Sequence, residues 1–278
     1  MDFQAPIDYL VIGHISRDLT TGGPVIGGTA AYSASTAKVL GCRTAVVTSF
    51  AAADELDSRL SDITVHNITA PATTTFENIY QPDGRVQYIH AVAGKITAED
   101  IPPVWQRAKI VHIGPIANEV DPRGISLFSN SIVGLTPQGW MRRWERDGRV
   151  FARSWDEAEA LLPLAAATFI SDEDLLSPSM LNDFRRFSKL LVMTQGPAGC
   201  IVYFGEEARS FLAPKVNAVD LTGAGDIFAT AYLVRLHQTA GDPWEAARFA
   251  NDIASQSVTG SGLANKMQVL QEYLSHGC

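Results

Sequence analysis

Short apolar runs alternate with segments of helical periodicity along this chain, and that alternation restricts the fold more than any other feature. Residues 7–13 form an apolar run closed by Gly13, and residues 27–40 carry small residues at helical spacing before Gly41. Residues 43–50, 109–114, 168–171 and 190–194 are further apolar runs, several of them separated by helix-patterned stretches. Strands that are apolar on both faces need cover on both faces. The expectation is therefore an α/β fold, a doubly wound and mostly parallel sheet flanked by helices. The pattern turns helical over residues 223–237 and 243–258, and residues 267–274 predict a final helix.

One stretch breaks the alternation. Residues 73–80 and 86–92 are β-rich runs that flank the turn sequence Gln81-Pro82-Asp83-Gly84-Arg85, which predicts a hairpin. Its strands are less uniformly apolar than the central ones, as suits a small sheet with one face open to solvent or ligand. Residues 19–25 supply another strand of the same kind. We read these as lid insertions at about residues 15–26 and 71–93 within a single domain over residues 1–278. A hydrophobic content of 46% against 19% charged residues is enough for an extensive core and argues against long disordered stretches.

Charge and cysteine usage narrow the function classes. Twenty-two Lys and Arg stand against 30 Asp and Glu, a net charge of -8, so nothing here is built to grip a nucleic-acid backbone or an anionic membrane. Cys42, Cys200 and Cys278 lack the paired spacing of a zinc site or disulfide framework, and the six histidines form no i, i+4 pair. The N-terminus lacks the pattern of a signal peptide and no apolar run is long enough to span a bilayer, so the expected location is the cytoplasm.

The segment with most chemical content is Asp220-Leu221-Thr222-Gly223-Ala224-Gly225-Asp226, directly before an apolar helix. Two glycines flanking an alanine let the backbone turn its amides toward one point, where the helix dipole adds partial positive charge, so the turn suits an anion. A carboxylate in the first helical turn would repel a permanently held phosphate. It suits a base acting on a nucleophile beside a phosphoryl group in transfer, and equally an ordinary helix start. Other phosphate motifs fit poorly. Phe228 stands at the third glycine of a dinucleotide fingerprint, and in residues 260–267 Asn265 and Met267 replace the second glycine and the hydroxyl residue of a P-loop.

Three separated blocks resemble the ribokinase-like, or PfkB, carbohydrate kinases. Gly13-His14-Ile15-Ser16-Arg17-Asp18 is similar to that family's strand-end segment finishing in a substrate-binding Asp, and Gly27-Gly28-Thr29-Ala30-Ala31-Tyr32 to its Gly-Gly block. Residues 220–226 match its C-terminal signature except that Leu221 stands where Thr is usual. Thr194-Gln195-Gly196-Pro197-Ala198-Gly199 resembles its nucleotide-binding turn. The resemblance implies a ribokinase-like fold with a β lid, ATP on one side of the glycine turn and a sugar or cyclitol beneath the lid. It implies Asp226 as base, the amides of Gly223, Ala224 and Gly225 as anion hole, and Asp18, Gly27, Gly28 and Tyr32 on the substrate side. Thr194, Gly196, Gly199 and Asn251 then fall on the nucleotide side, although Asn251 serves equally well as a partner for a core carbonyl. A homodimer through the lid is compatible with the resemblance.

Departures from the family pattern bear on metal and substrate. Ser171-Asp172-Glu173-Asp174 stands where Asn-x-x-Glu is usual; Asp174 remains a carboxylate for Mg2+, and Ser171 reads equally as a helix cap. Asp220 and Thr222, with residues 259–262, match by position the loops that hold a monovalent cation, which brings K+ into consideration. Tyr32 replaces an Asn common in sugar kinases, and with Ser171 and Thr73-Thr74-Thr75-Phe76 it resembles the myo-inositol kinase branch. Glu77 and Asn78 on the lid, and Gln138 and Arg142 after the run at residues 132–135, could bind polyol hydroxyls, but the favoured reading is that they are only solvated. The rival function is a non-catalytic polyol- or nucleotide-binding protein on the same fold.

Overall fold

In the computed structural model, residues 6–54, 60, 62–81 and 84–276 are described. The strands are β1 Tyr9–Ile12, β2 Ser16–Thr20, β3 Gly23–Gly27, β4 Thr44–Ala51, β5 Thr64–Ala70, β6 Thr75–Gln81, β7 Gly84–Ala91, β8 Ile110–Ile113, β9 Ile132–Leu135, β10 Arg142–Trp144, β11 Val150–Ala152, β12 Ala167–Ser171, β13 Leu190–Thr194, β14 Cys200–Phe204 and β15 Glu207–Phe211. The helices are α1 Thr29–Val39, α2 Ala158–Leu161, α3 Pro178–Phe187, α4 Ala224–Gln238, α5 Pro243–Ser257 and α6 Gly262–Ser275.

Nine of the described strands make one sheet in the order β15-β14-β13-β12-β9-β8-β1-β4-β5. The ladders from β13 through to β5 are parallel, while β14 and β15 pair antiparallel at one edge. Period-2 alternation divides the core. Tyr9 and Val11 of β1 face the layer of α1, α4, α5 and α6, and Leu10 and Ile12 face the opposite layer with Trp105, Trp140 and Trp155. That is why β1 reads as an uninterrupted apolar run. Helix α1 is buried nearly all round and is accordingly built from Ala, Ser and Thr, whose small side chains let it lie between the sheet and α4.

A separate sheet runs in the order β3-β2-β6-β7. The hairpin turn expected at residues 81–85 falls partly outside the described residues, at positions 82 and 83, but Gln81 and Gly84 pair across its base. Phe76 and Ile89 of this sheet cluster with Ile116 and Ala117, which anchors it to the loop after β8.

Several boundaries differ from the sequence reading. Helix α6 begins at Gly262 rather than near residue 267, because Lys266 interrupts the apolar pattern while still being buried. Strands β5 and β15 escape the pattern of apolar runs because they are the two edge strands of the large sheet and carry polar residues. Cys42 and Cys200 are free thiols raised by burial to about 11 and about 12, and Cys278 lies outside the described residues. Among the described residues, no helix is long and apolar enough to cross a membrane.

Candidate active site

After β1 the chain passes to β4 on one side, and β8 later fills the other side of β1. In open α/β sheets such a reversal of strand order leaves a crevice at the carboxyl ends of the strands. Helices α1 and α4 both begin at this crevice: the Thr29 hydroxyl, in the first turn of α1, bonds to the carboxyl of Asp226, in the first turn of α4. Gly114, just past β8, lies so close to Thr29 that a Cβ there would overlap the Thr29 methyl.

The Asp226 carboxyl is raised to about 6, mainly because burial disfavours its charged form and partly because Asp18 is near; Thr29 and the charge of Arg142 oppose the shift. Its backbone carbonyl accepts from Thr230 Oγ1 at 2.8 Å, and Tyr9 Oη donates to Thr230 Oγ1 at 3.3 Å. Tyr9 Oη also lies 3.0 Å from Nδ1 of His112, a fully buried imidazole that burial depresses to about 3 and therefore keeps neutral. The start of α4 is thus tied through its backbone into the core of the sheet.

Gly223 caps α4 in the left-handed region, with φ of 75°, and its α-carbon faces the ring of Tyr32. Tyr32 is 3% exposed, and its phenol is pushed well above the usual range by burial and by the charges of Asp220, Asp18 and Asp226. One ring therefore feels three of the carboxylates singled out in the sequence. Of the three expected anion-hole amides, that of Ala224 donates to the Leu221 carbonyl at 3.2 Å. The first-turn amides of Gly225 and Asp226 have no carbonyl partner available within the helix, and Gly225 is exposed.

On the substrate side, Asp18 lies on β2 and accepts from Ser16 Oγ at 3.3 Å. A Cβ on Gly27 would come within 2.5 Å of Asp18 Oδ2, so β2 and β3 pair closely only with glycine there. Gly28, with φ of 87°, turns the chain from β3 into α1 and packs on the His14 carbonyl. His14 is itself held by Thr74 Oγ1 at 2.7 Å and the Gly94 carbonyl at 2.8 Å.

Of the residues expected on the nucleotide side, Thr194 at the end of β13 pairs in register with Ser171 at the end of β12, which brings both motifs to one end of the sheet. Gly196 and Gly199 close the turn into β14, where Gly199 N–H donates to Gly196 at 3.0 Å. Asn251 is 4% exposed, with its amide donating to the Phe211 carbonyl at 3.1 Å; of its two open readings, the geometry is that of the core partner. Ser171 and Asp174 form a reciprocal cap, with Asp174 Oδ2 accepting from Ser171 N at 3.0 Å.

Two residues read as solvated are instead bonded to side chains singled out in the sequence or to each other. Gln138 Nε2 donates to Asp174 Oδ1 at 3.1 Å, and Arg142 donates to Gln138 Oε1 at 2.6 Å. The Arg142 guanidinium also lies 5.6 Å from the Phe76 ring centre, so it links β6 to the electrostatics of Asp226. Glu77 and Asn78 instead make the cross-strand pairs His90–Glu77 and Gln87–Asn78, each at 2.9 Å. Sequence reasoning gave Thr29 no role and Glu119 none. Glu119 is 1% exposed, and its carboxylate accepts from the backbone N–H groups of His14, Ile116 and Ala117, joining the loops after β1 and β8. Nothing in its neighbouring sequence signals this.

Comparison with known proteins gives the fold and a family profile that part of the chain matches. A solved pyrophosphate-dependent kinase of the ribokinase family, complexed with a pyrophosphate analog and myo-inositol, superposes with a TM-score of 0.80 at 23% identity, over 95% of this chain and 99% of that one. A putative ribokinase II from E. coli in complex with ATP and Mg2+ gives 0.73 at 17% identity, over 97% and 99%. The fold is therefore ribokinase-like. Residues 153–270 match the profile described as pfkB family carbohydrate kinase. The fructokinase of Escherichia coli is 26% identical over 61% of this chain and 61% of its own length. The chain spans about three-fifths of the length of the curated relatives it matches.

Proposed function

We propose that this protein is an ATP-dependent kinase that phosphorylates one hydroxyl of a small sugar or cyclitol. The observation that carries the reading is the Asp226 carboxyl, raised to about 6 at the N-terminus of α4 and bonded to Thr29. A carboxylate so tuned is ionised at neutral pH yet basic enough to take a proton in a transition state. The substrate hydroxyl attacks the terminal phosphorus of the donor, its O–H bond breaks with the proton passing to Asp226, and the bond from phosphorus to the leaving oxygen breaks. Negative charge on the transferred oxygens is met by the amides of Gly223, Gly225 and Asp226 and by the α4 dipole. Asp18 accepts hydrogen bonds from two hydroxyls of the polyol. The β3-β2-β6-β7 sheet acts as a lid that excludes water during transfer.

Magnesium fits this site as a donor-bound ion. Among the described residues there is no cluster of three or more metal-ligating side chains, and Asp174 supplies one carboxylate already bonded to Ser171 and Gln138. A single carboxylate would be enough if phosphate oxygens and waters supplied the other ligands, and the ion would then neutralise charge on the phosphates. Cyclitol specificity in the manner of myo-inositol is supported by Tyr32, whose ring replaces a polar amide against the sugar. The likeness to a pyrophosphate-dependent kinase, together with the engagement of Asn251 in the core, favours testing pyrophosphate as a second donor.

A panel of sugars, cyclitols and nucleosides with Mg2+ and either ATP or pyrophosphate tests the reading by donor consumption above a no-acceptor control. Conversion of one acceptor class is the expected result. Tight polyol binding by calorimetry with no donor consumed at any Mg2+ concentration would instead identify a non-catalytic binding protein, the reading favoured by the use of Ser171 and Asp174 as a local cap.

A further inference from the structure

Helix α6 presents Leu263, Lys266 and Leu270 to the interior, three or four residues apart, and Lys266 is 0% exposed. A buried ammonium is tolerated only where oxygens surround it. Lys266 Nζ donates to the Asp220 carbonyl, donates to the Ser257 carbonyl at 3.4 Å and lies 3.7 Å from Asp220 Oδ2. Burial lowers the ammonium, and Asp220 opposes that shift. The Asp220 carboxylate in turn accepts from Thr222 N at 2.8 Å and from Gly262 N at 2.9 Å. These groups belong to the segment leading into the glycine turn, to the carbonyl end of α5 and to the start of α6. They include the two loops between which a free monovalent cation was considered.

A potassium ion does not fit this arrangement. The oxygens that would bind it already surround a positive charge, and a second cation among them would meet the first at close range with little water between. The ammonium stands at the negative end of the α5 dipole and beside a carboxylate, so its charge is compensated without help from solution.

We propose that Lys266 is a built-in cation that holds the Asp220–Gly223 segment in the conformation that aims the α4 amides, and that it makes the enzyme independent of added potassium. Lys266 is a positioning residue, acting through the Asp220 backbone and carboxylate rather than on substrate. The proposal rests on the kinase reading only for its activity measurement.

The test compares wild type with Lys266→Ala in choline, lithium, potassium and ammonium chlorides at equal ionic strength, by turnover and by thermal unfolding. Wild type should show the same rate and the same midpoint in all four salts. Lys266→Ala in choline chloride should lose about 10- to 100-fold in turnover, as expected for a displaced anion-binding turn. Potassium or ammonium, which can occupy the vacated position, should restore its rate and raise its midpoint, whereas lithium should do neither. A potassium-specific gain in wild type, or a folded Lys266→Ala variant that responds to no cation, would overturn the proposal. Lys266→Gln, whose amide still donates to the two carbonyls, takes the same measurements if the alanine variant does not fold. Should no acceptor be phosphorylated under any condition, the kinase reading fails, and the unfolding midpoints alone decide the role of Lys266.

Discussion

The ring of Tyr32 lies so close to Gly223 that a methyl group on the glycine would overlap the ring carbons Cδ1 and Cγ. A residue of the first helix thereby fixes the position of the turn that begins the fourth. Gly223→Ala must both strain a φ of 75° and push against a ring that is 3% exposed. Turnover should fall by about 100-fold, because a shift on the order of 1 Å in the anion site is enough for that. Circular dichroism should show the fold retained. Near-normal turnover would mean that the turn is not the anion site.

Asp226→Asn should abolish turnover and stabilise the fold. The folded carboxyl, at about 6, lies above the ordinary aspartate value of 3.8, so the native state binds its proton more tightly than the unfolded state does. The stabilising contribution of protonation is full below about pH 4 and lost as pH rises through 6. At pH 8 the wild type therefore carries a buried charge that the variant lacks, and the variant should be more stable by on the order of 1–3 kcal/mol. Denaturant titrations at pH 8 and pH 4 check this, since the difference should vanish at the lower pH.

In wild type, kcat/KM should rise with pH through a limb near 6 as the base deprotonates. Arg142 holds that carboxyl down, so Arg142→Met should move the limb to higher pH. It should also raise KM for the polyol, because the guanidinium over Phe76 connects β6 to the rest of the site. A pH–rate profile of the variant superposing on that of wild type would break the proposed link between Arg142 and the base.

Glu119→Ala should destabilise without touching the chemistry directly. Its removal leaves the buried N–H groups of His14, Ile116 and Ala117 without their acceptor, at a cost on the order of 3 kcal/mol. The unfolding midpoint should drop by roughly 6–12 °C for a chain of this size. A change of less than a degree would show that water replaces the carboxylate.

The parallel sheet was legible because two-sided burial leaves a mark in the sequence: Tyr9 to Ile12 are all apolar since each faces one of two cores. The glycine turn before α4 was legible for a related reason, as Gly223 and Asp226 are constrained by backbone geometry and position within one helical turn. Lys266 left a weaker signal, a charge at the spacing of Leu263 and Leu270, which a pattern search takes for an interruption. Arg142 was visible only as a polar residue that reads as solvated, and Glu119 left no signal.

Composition and local periodicity thus determined the layers, the strands of the small sheet and the position of the glycine turn, all of which depend on residues near one another in the chain. What the tertiary structure alone decided is the electrostatic setting of the site. Thr29 and Asp226 are brought together across nearly the whole chain, as are Lys266 and Asp220 from separate elements and Arg142 with Gln138 and Asp174. The charge and proton affinity of a carboxylate depend on burial and on partners from other elements, and no window of sequence carries that information.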